Sequence, residues 1–309
     1  MTMNPGAQKG VAAITAILIV AIAASAATLM LAQQSAMLGQ TALVASRAQA
    51  DLYARAGLDW SRAILADDAK RAGGVDSLDE GWAQPIAGLP VERAVVAGAI
   101  TDEQGKFNVN NLVNGTTASG EDVAAFRRLL ESLGLSGDLR EAVVDWIDGD
   151  GDLYGGGGAE TPYYLSLPKP YRAADRPMIQ IDELYRVRGF DPQTVAKLRP
   201  YITALPGHTL VNVNTASAPV LAAMLPELSP AEVNQLIEAR RSKPFRNRDD
   251  ISKVAAKAKP ASLATLDVKS SFFSVRVRVA QDDVEVSTEG LVQRDTAGNA
   301  ALLWRRAVY

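Results

Sequence analysis

Acidic side chains crowd one glycine-rich segment near the middle of the 309-residue chain. No lysine or arginine occurs between Arg140 and Lys169 to balance them. Uncompensated carboxylates repel one another, and a bound divalent cation relieves that repulsion. Because these ligands are all hard oxygens, calcium is the preferred ion. The sequence thus predicts a structural calcium site, whose candidate ligands are Asp145, Asp148, Asp150, Asp152 and Glu160.

The spacing of these acids does not follow the EF-hand. In the run that starts at Asp148, the sixth position is Leu153 rather than glycine, and the twelfth is Ala159 rather than glutamate. We therefore expect an irregular calcium loop, to which Asp175 is a further candidate contributor. A solvated acidic loop is the alternative for the whole segment, and a place on a helix face is the alternative for Asp145.

The remaining composition excludes several classes of chemistry. The chain has no cysteine, so thiol nucleophiles, thiolate metal sites and disulfides are excluded. One histidine, His208, supplies neither a zinc centre nor a Ser/His/Asp triad. The acidic segment has no evident apolar wall that would raise a pKa for acid–base catalysis, so we do not expect an enzyme. The net charge of −3 lacks the basic excess of a general nucleic-acid binder.

The N-terminal region must carry an anchor. No charged side chain occurs between Lys9 and Arg47, and the apolar run 11–32 has 22 residues. As a helix this run is about 33 Å long, which matches a bilayer core. A cleaved secretory signal is the alternative, but the run is too long for one, and a helical pattern without proline continues to Ala66. The sequence predicts one helix over 11–67, with 11–32 in the membrane.

The head combines strands with helices. Residues 68–106 read as a linker followed by first strands, with a hairpin predicted over 94–110 around the turn 102–105. Residues 271–309 alternate with period two and predict a C-terminal β-meander. Between them, 107–270 is predicted to be helical. The fold class is therefore α+β, in which a large all-helical domain is inserted into a sheet.

An internal repeat divides the helical region. The stretch Phe107-Asn108-Val109-Asn110 returns as Val211-Asn212-Val213-Asn214, and each copy is followed by two helical segments. An acidic turn and a short helix then follow in both copies. We therefore expect two related modules, over about 107–205 and 206–270. The first carries an extra loop, which contains the acidic segment.

The start of the chain resembles a type IV prepilin processing site. A short polar leader ends in Lys9-Gly10, and the apolar run begins at once with Val11. The resemblance implies a leader over 1–10, cleavage between Gly10 and Val11 by the prepilin peptidase, and N-methylation of Val11. Most prepilins have glutamate at the fifth residue after the cut, where this chain has Thr15. Such a subunit either stays out of a filament or occupies its end; divergence at one position is the simpler alternative.

An ordered set of motifs sharpens the resemblance. After the prepilin start come the segments 108–112, 145–148, 170–174, 183–184 and 211–216. Together they are similar to the protein K family of minor pseudopilins of type II secretion. This resemblance implies a pilin-like head with a duplicated helical insertion of SAM or helix-hairpin-helix type, and calcium bound within it. It also implies a place at the pseudopilus tip with the minor pseudopilins I and J, where the subunit helps to initiate or cap the pseudopilus and to export folded proteins.

The same resemblance implies the location. The chain is expected to cross the bacterial inner membrane once, with a cytoplasmic N-terminus and a periplasmic head. The alternative function is a membrane-anchored helix-hairpin-helix receptor for DNA uptake. Its hairpin, at 225–229, lacks the glycines that bring backbone N–H groups to a phosphate and carries Glu227 instead. The basic run 240–248 reads better as a solvated helix end, so no nucleic-acid partner is expected.

Overall fold

The computed structural model describes residues 5–71 and 74–308, and side chains from Gly10 onward. Its helices are α1 (Pro5–Arg71), α2 (Gly120–Ser132), α3 (Leu139–Ile147), α4 (Thr161–Leu165), α5 (Pro192–Leu198), α6 (Ala218–Met224), α7 (Pro230–Ser242), α8 (Arg248–Val254) and α9 (Pro260–Ala264). Its strands are β1 (Ile86–Val91), β2 (Ala94–Asp102), β3 (Phe107–Asn108), β4 (Val113–Asn114), β5 (Thr117–Ala118), β6 (Ile202–Thr203), β7 (Val211–Asn212), β8 (Leu266–Asp267), β9 (Phe272–Gln281), β10 (Val284–Arg294) and β11 (Ala300–Val308). Short 3₁₀ turns occupy Gly81–Ala83, Glu103–Gly105, Val109–Leu112 and Ile181–Arg186.

Helix α1 spans 67 residues without a break, because proline is absent between Pro5 and Pro85. It is about 100 Å long. It begins earlier and ends later than the predicted 11–67, and residues 1–4 of the predicted leader lie outside the described part of the chain. Side chains of its first half are exposed, whereas Ala50, Ala54 and Leu58 are at most 2% exposed. Their spacing of four places them on one helix face, which packs on the sheet.

The sheet is antiparallel, with strand order β1-β2-β9-β10-β11. Strands β2 and β9 are neighbours, and their register runs from Ala94 opposite Gln281 to Asp102 opposite Phe273. The chain therefore leaves the sheet after Asp102 and returns beside the same strand, so the helices form an insertion between two paired strands. The predicted α+β class with a helical insertion is confirmed. The domain boundaries stay predictions, although the exit and return lie close to them.

The predicted hairpin over 94–110 is wrong. Strand β2 pairs with β1 and β9, while Phe107 and Asn108 pair in parallel with β6. The carboxylate of Asp102 accepts the Gln104 N–H at 2.8 Å and caps a 3₁₀ turn, which redirects the chain into the insertion. Glycines and prolines over 68–92, among them Pro85 and Pro90, predict a linker or irregular entry to the head, and this range includes 86–91. The structure makes 86–91 the edge strand β1, where Pro90 is tolerated.

The two helical modules repeat one hydrogen-bonding device. Asn110 Oδ1 accepts the Met178 N–H at 2.8 Å, and its Nδ2 donates to the Met178 carbonyl at 2.9 Å. Asn214 holds the Phe245 backbone in the same way, at 2.9 and 3.0 Å. We call each of these pairs an asparagine clamp. A parallel strand pair accompanies each clamp: β3 with β6, and β7 with β8.

The insertion is attached to the sheet through a buried aspartate. Asp102 is 4% exposed. Its Oδ2 accepts from Asn212 Nδ2 at 3.0 Å and from the hydroxyls of Thr215 and Ser270 at 2.6 Å each. Burial raises the pKa of Asp102 to about 6. One carboxylate thus joins the end of β2, the second module and the segment that leads into β9.

Candidate cation site and membrane anchor

Three of the predicted ligands meet between α3 and α4. Asp148, Asp150 and Glu160 each offer one carboxylate oxygen, and these oxygens all lie within 4.8 Å of one another. Asp148 follows the last residue of α3 and Glu160 precedes the first residue of α4. Both are nearly buried, with 4% and 5% of their surface exposed, while Asp150 is exposed. The fold therefore brings three carboxylates of one loop together. We call Asp148, Asp150 and Glu160 the acidic trio.

Three buried carboxylate oxygens of this region lack hydrogen-bond partners. Within residues 10–71 and 74–308, the buried atoms Asp145 Oδ2, Asp148 Oδ1 and Glu160 Oε1 accept no hydrogen bond. Burial, followed by the charge of Asp150, raises the pKa of Asp148 to about 7. Burial, followed by the charge of Asp145, raises the pKa of Glu160 to about 7. A buried carboxylate without a partner is costly, so this arrangement fits a hard divalent cation.

The other two predicted ligands, Asp145 and Asp152, lie outside the acidic trio. Asp145 uses Oδ1 to accept the Tyr154 N–H at 2.8 Å and is not one of the acidic trio. Asp152 is exposed and also lies outside the trio; its N–H donates to Asp150 Oδ1 at 2.9 Å. Asp175 adopts a positive φ of 49°, and its N–H donates to the Trp146 carbonyl at 3.2 Å, beside the end of α3. Its charge contributes to the raised pKa of Asp148.

A second acidic group, formed by Asp68, Asp76 and Glu80, was not predicted. Its oxygens also lie within 4.8 Å of one another. Here, however, Arg294 pairs with Asp68 at 3.0 Å and with Asp76. Glu80 accepts from Trp82 Nε1 at 2.6 Å. Arg294 and Trp82 thus partner the carboxylates of this group, and among the described residues none of its oxygens is a buried atom without a hydrogen bond. Sequence alone gave no signal for it, because Arg294 comes from a distant strand.

The anchor presents a long uncharged surface. Helix α1 is long and apolar enough to cross a membrane, judged by length and composition. Gly10 and Val11, the predicted cleavage residues, are exposed on it. The Thr15 hydroxyl donates to the carbonyls of Ala12, at 2.9 Å, and Val11, at 3.1 Å. The polar atom at this position is therefore satisfied within its own helix.

Comparison with known proteins decides the family. Two family models, both described as "Type II secretion system (T2SS), protein K", match residues 105–207 and 211–275. The type II secretion system protein K of Pseudomonas aeruginosa is 32% identical over an alignment of 312 positions. The alignment covers 96% of this chain and 92% of the relative. That of Pectobacterium carotovorum is 31% identical and covers 92% of both chains. The chain belongs to the type II secretion system protein K family.

A solved structure of this family shows the same fold. The GspK-GspI-GspJ complex from the type 2 secretion system of enterotoxigenic Escherichia coli contains a chain that matches with a TM-score of 0.78. The match covers 87% of this chain and 99% of that chain, at 24% identity. Together the family models and the relatives confirm the predicted family: the chain is a minor pseudopilin of type II secretion. Its long apolar helix fits a single-pass inner-membrane anchor.

The DNA-uptake alternative fits this protein K poorly. In the predicted hairpin, Glu227 Oε1 accepts from Ser262 at 3.0 Å, so a carboxylate occupies the place expected for phosphate-binding amides. Arg240 of the basic run is 9% exposed and donates to the Val213 carbonyl. Arg241 pairs with Glu238 at 2.7 Å. Several of the basic groups therefore stabilise the second module instead of forming a free cationic face.

Proposed function

We propose that this protein K is the tip subunit of the type II secretion pseudopilus, where it helps to initiate or cap the filament and to export folded proteins. The observation that carries the proposal is Thr15. Threonine has no carboxylate to meet the amine of a neighbouring subunit, and its hydroxyl is already bonded within its own helix. A subunit without that carboxylate suits the end of the filament, where no preceding subunit has to be matched. The inserted domain adds bulk to the head and favours the same position.

Pseudopilins I and J are the proposed partners, because the E. coli relative was solved in a complex with proteins of those names. The full chain in detergent should co-purify with both. Gold-labelled antibody against its head should mark pseudopilus ends only. Labels spread along the filament, or secretion lost in Thr15→Val, would contradict the tip assignment. The valine removes the hydroxyl without adding charge, so it is the matched control for Thr15→Glu, which should disturb tip placement.

The topology and processing are proposed together. The N-terminus is cytoplasmic and the head periplasmic, and the prepilin peptidase cuts between Gly10 and Val11 before Val11 is N-methylated. Support comes from the basic leader and the uncharged span of α1. Intact-mass analysis of the membrane form should show loss of residues 1–10 and gain of one methyl group. An uncut chain, or a cut near Ala27, would refute the processing.

We also propose that the acidic trio holds a structural calcium ion. The unpartnered oxygens of Asp148 and Glu160 support it. Asp150 offers a third oxygen within 4.8 Å of theirs, and the charges of Asp145 and Asp175 also act on both carboxyls. Calorimetry on the full chain in detergent should detect calcium binding, which Asp148→Asn should weaken strongly. Asp152→Asn removes an equal charge outside the trio and should bind as wild type does. Equal losses in both variants would show a diffuse charge effect and no defined site.

A further inference from the structure

Four successive glycines, 155–158, lead the acidic loop back towards Glu160. Such a composition is typical of a flexible linker. The structure instead packs three of them against α3. A β-carbon at Gly155 would lie 2.6 Å from Glu141 Oε2, one at Gly157 3.0 Å from the same oxygen, and one at Gly158 2.2 Å from Asp145 Oδ2. These glycines are therefore required for close approach to two carboxylates.

The Glu141 side chain binds the backbone of this glycine run. It lies one helical turn before Asp145 on α3 and is 8% exposed. Its Oε2 accepts the Gly157 N–H at 2.7 Å. Its Oε1 pairs with Arg140 Nη2 at 2.8 Å, so its charge is compensated. Glu141 is not part of the acidic trio and was not predicted as a site residue.

We propose that Glu141 is a positioning residue that fastens the glycine run to α3 and thereby sets Glu160 opposite Asp148. Asp145 supports the same loop at an earlier point, through the Tyr154 N–H. An unfastened glycine loop would lose much backbone entropy each time the carboxylates came together. Fastening the loop in advance removes that cost from ion binding. The effect on calcium rests on the calcium site proposed above; the fastening of the loop does not.

The first measurement is amide hydrogen exchange in calcium-free full-length protein in detergent. Glu141→Ala should speed exchange across 154–160 by about tenfold or more, since the Gly157 N–H loses its acceptor. Glu141→Gln keeps an acceptor oxygen and should lie between Glu141→Ala and wild type. Gly156→Ala is the matched control, because nothing lies within 4 Å of its β-carbon position. Exchange in α7 should stay unchanged in every variant, which shows that the fold is kept.

The second measurement is the calcium dissociation constant of the same variants. Loss of a supporting residue should raise it about 10- to 100-fold in Glu141→Ala, with little change in Gly156→Ala. Gly155→Ala should also weaken binding, because its β-carbon would meet Glu141 atoms and its φ of +75° strains alanine; combination with Glu141→Ala should relieve only the first of these costs. If Glu141→Ala alone folds poorly, the same double-mutant cycle can be measured with Glu141→Gln in its place.

The outcomes separate the two proposals. Wild-type exchange across 154–160 in Glu141→Ala, or equal loosening in Gly156→Ala, would overturn the role of Glu141. If wild-type protein binds no calcium but Glu141→Ala still loosens the loop, the calcium site falls and the positioning role stands. If calcium binds and Glu141→Ala leaves both exchange and affinity unchanged, the calcium site stands and the positioning role falls.

Discussion

The two modules of the insertion share the asparagine clamp but differ in the chain that each clamp encloses. In the second module, the clamp joins residues 31 positions apart in sequence, Asn214 and Phe245. In the first module, the clamp joins residues 68 positions apart, Asn110 and Met178. The additional chain runs through the acidic loop and α4. One scaffold therefore occurs once in plain form and once with a candidate cation site built into it.

This difference shows how a binding loop can be added to a module without new architecture. The clamp closes each module through buried hydrogen bonds between an asparagine side chain and the backbone, and these bonds involve no residue of the chain enclosed between the clamped points. The acidic loop then carries a cluster of three carboxylates, and the described residues of the second module hold no such cluster. The second module has a single unpartnered carboxylate oxygen, Glu227 Oε2, which stands apart from other acids. We expect the modules to behave alike when the clamps are broken and differently when calcium or pH changes.

The largest effect should come from the clamps. Asn110→Ala and Asn214→Ala each leave buried backbone groups unpaired, at Met178 and Phe245 respectively. Each unpaired group costs about 1–3 kcal/mol, so each variant should lose about 2–5 kcal/mol of unfolding free energy. Thermal unfolding of the full chain in detergent measures this. Asn114→Ala, at an exposed asparagine, is the control and should change little. A large loss in one module only would break the proposed equivalence.

Calcium should stabilise the first module and leave the second unchanged. At a free concentration 100 times the dissociation constant, binding adds about 2.7 kcal/mol to the unfolding free energy. Hydrogen exchange with calcium and with a chelator should therefore differ across α3 and α4 but agree across α6 and α7. The difference should vanish in Asp148→Asn and persist in Asp152→Asn. Equal protection of both modules by calcium would mean that the ion acts elsewhere.

The pH dependence should separate the acidic trio from Asp102. Asp148 and Glu160 have folded-state pKa values of about 7, well above the ordinary value of about 4. Without calcium, the folded state therefore binds more protons at these two groups than the unfolded chain does across this interval. The stability that they contribute is fully present below about pH 4 and is lost as pH rises through about 7. Asp102, with a pKa of about 6, has the same sign but completes its change earlier.

Thermal midpoints measured with a chelator at several pH values between about 5 and 8 check this. Midpoints should fall with rising pH, and the fall above pH 6 should largely disappear when Asp148→Asn is combined with Glu160→Gln. Saturating calcium should also remove this fall in the thermal midpoint, because the bound ion then compensates the ionised carboxylates in place of the protons. Midpoints that rise with pH in the chelated wild type would show that the trio carboxylates are already ionised at little cost.

The smallest effect should come from the basic run. Lys243→Glu and Arg246→Glu change exposed residues and should alter stability by less than about 0.5 kcal/mol. Neither wild type nor variants should bind duplex DNA at physiological salt. Arg240→Met is the contrast, because it leaves the buried Val213 carbonyl without its donor. Tight duplex binding with a steep salt slope, lost in the Lys243 and Arg246 variants, would restore the DNA-uptake alternative.

The parts of this structure that could be predicted are those set by local pattern. The long uncharged run predicted the anchor, and period-two alternation predicted the C-terminal strands. The repeated Asn-x-Asn motif predicted the two modules. The failures involve distant partners. The hairpin over 94–110 was predicted from proximity in sequence, whereas β2 takes β9 as its neighbour. Strand β1 was missed because its proline argues against a strand unless the strand is known to be an edge.

The candidate site divides in the same way. The sequence showed that carboxylates cluster without compensating cations nearby in the chain, which identified the loop. The sequence could not show which of these carboxylates lie close enough to share an ion. Asp148 and Glu160 come together only because the glycine run folds back on α3. The sequence also could not predict the group of Asp68, Asp76 and Glu80, in which Arg294 from β10 pairs with both aspartates.

Local sequence was sufficient to predict the anchor, the C-terminal strands, the duplication and the acidic character of one loop, because periodicity and charge are properties of neighbouring residues. Tertiary packing set which carboxylates share a space, which of them pair with an arginine, and how Glu141 holds a glycine run in place. Those outcomes depend on contacts between residues far apart in the chain, and only packing brings these residues together.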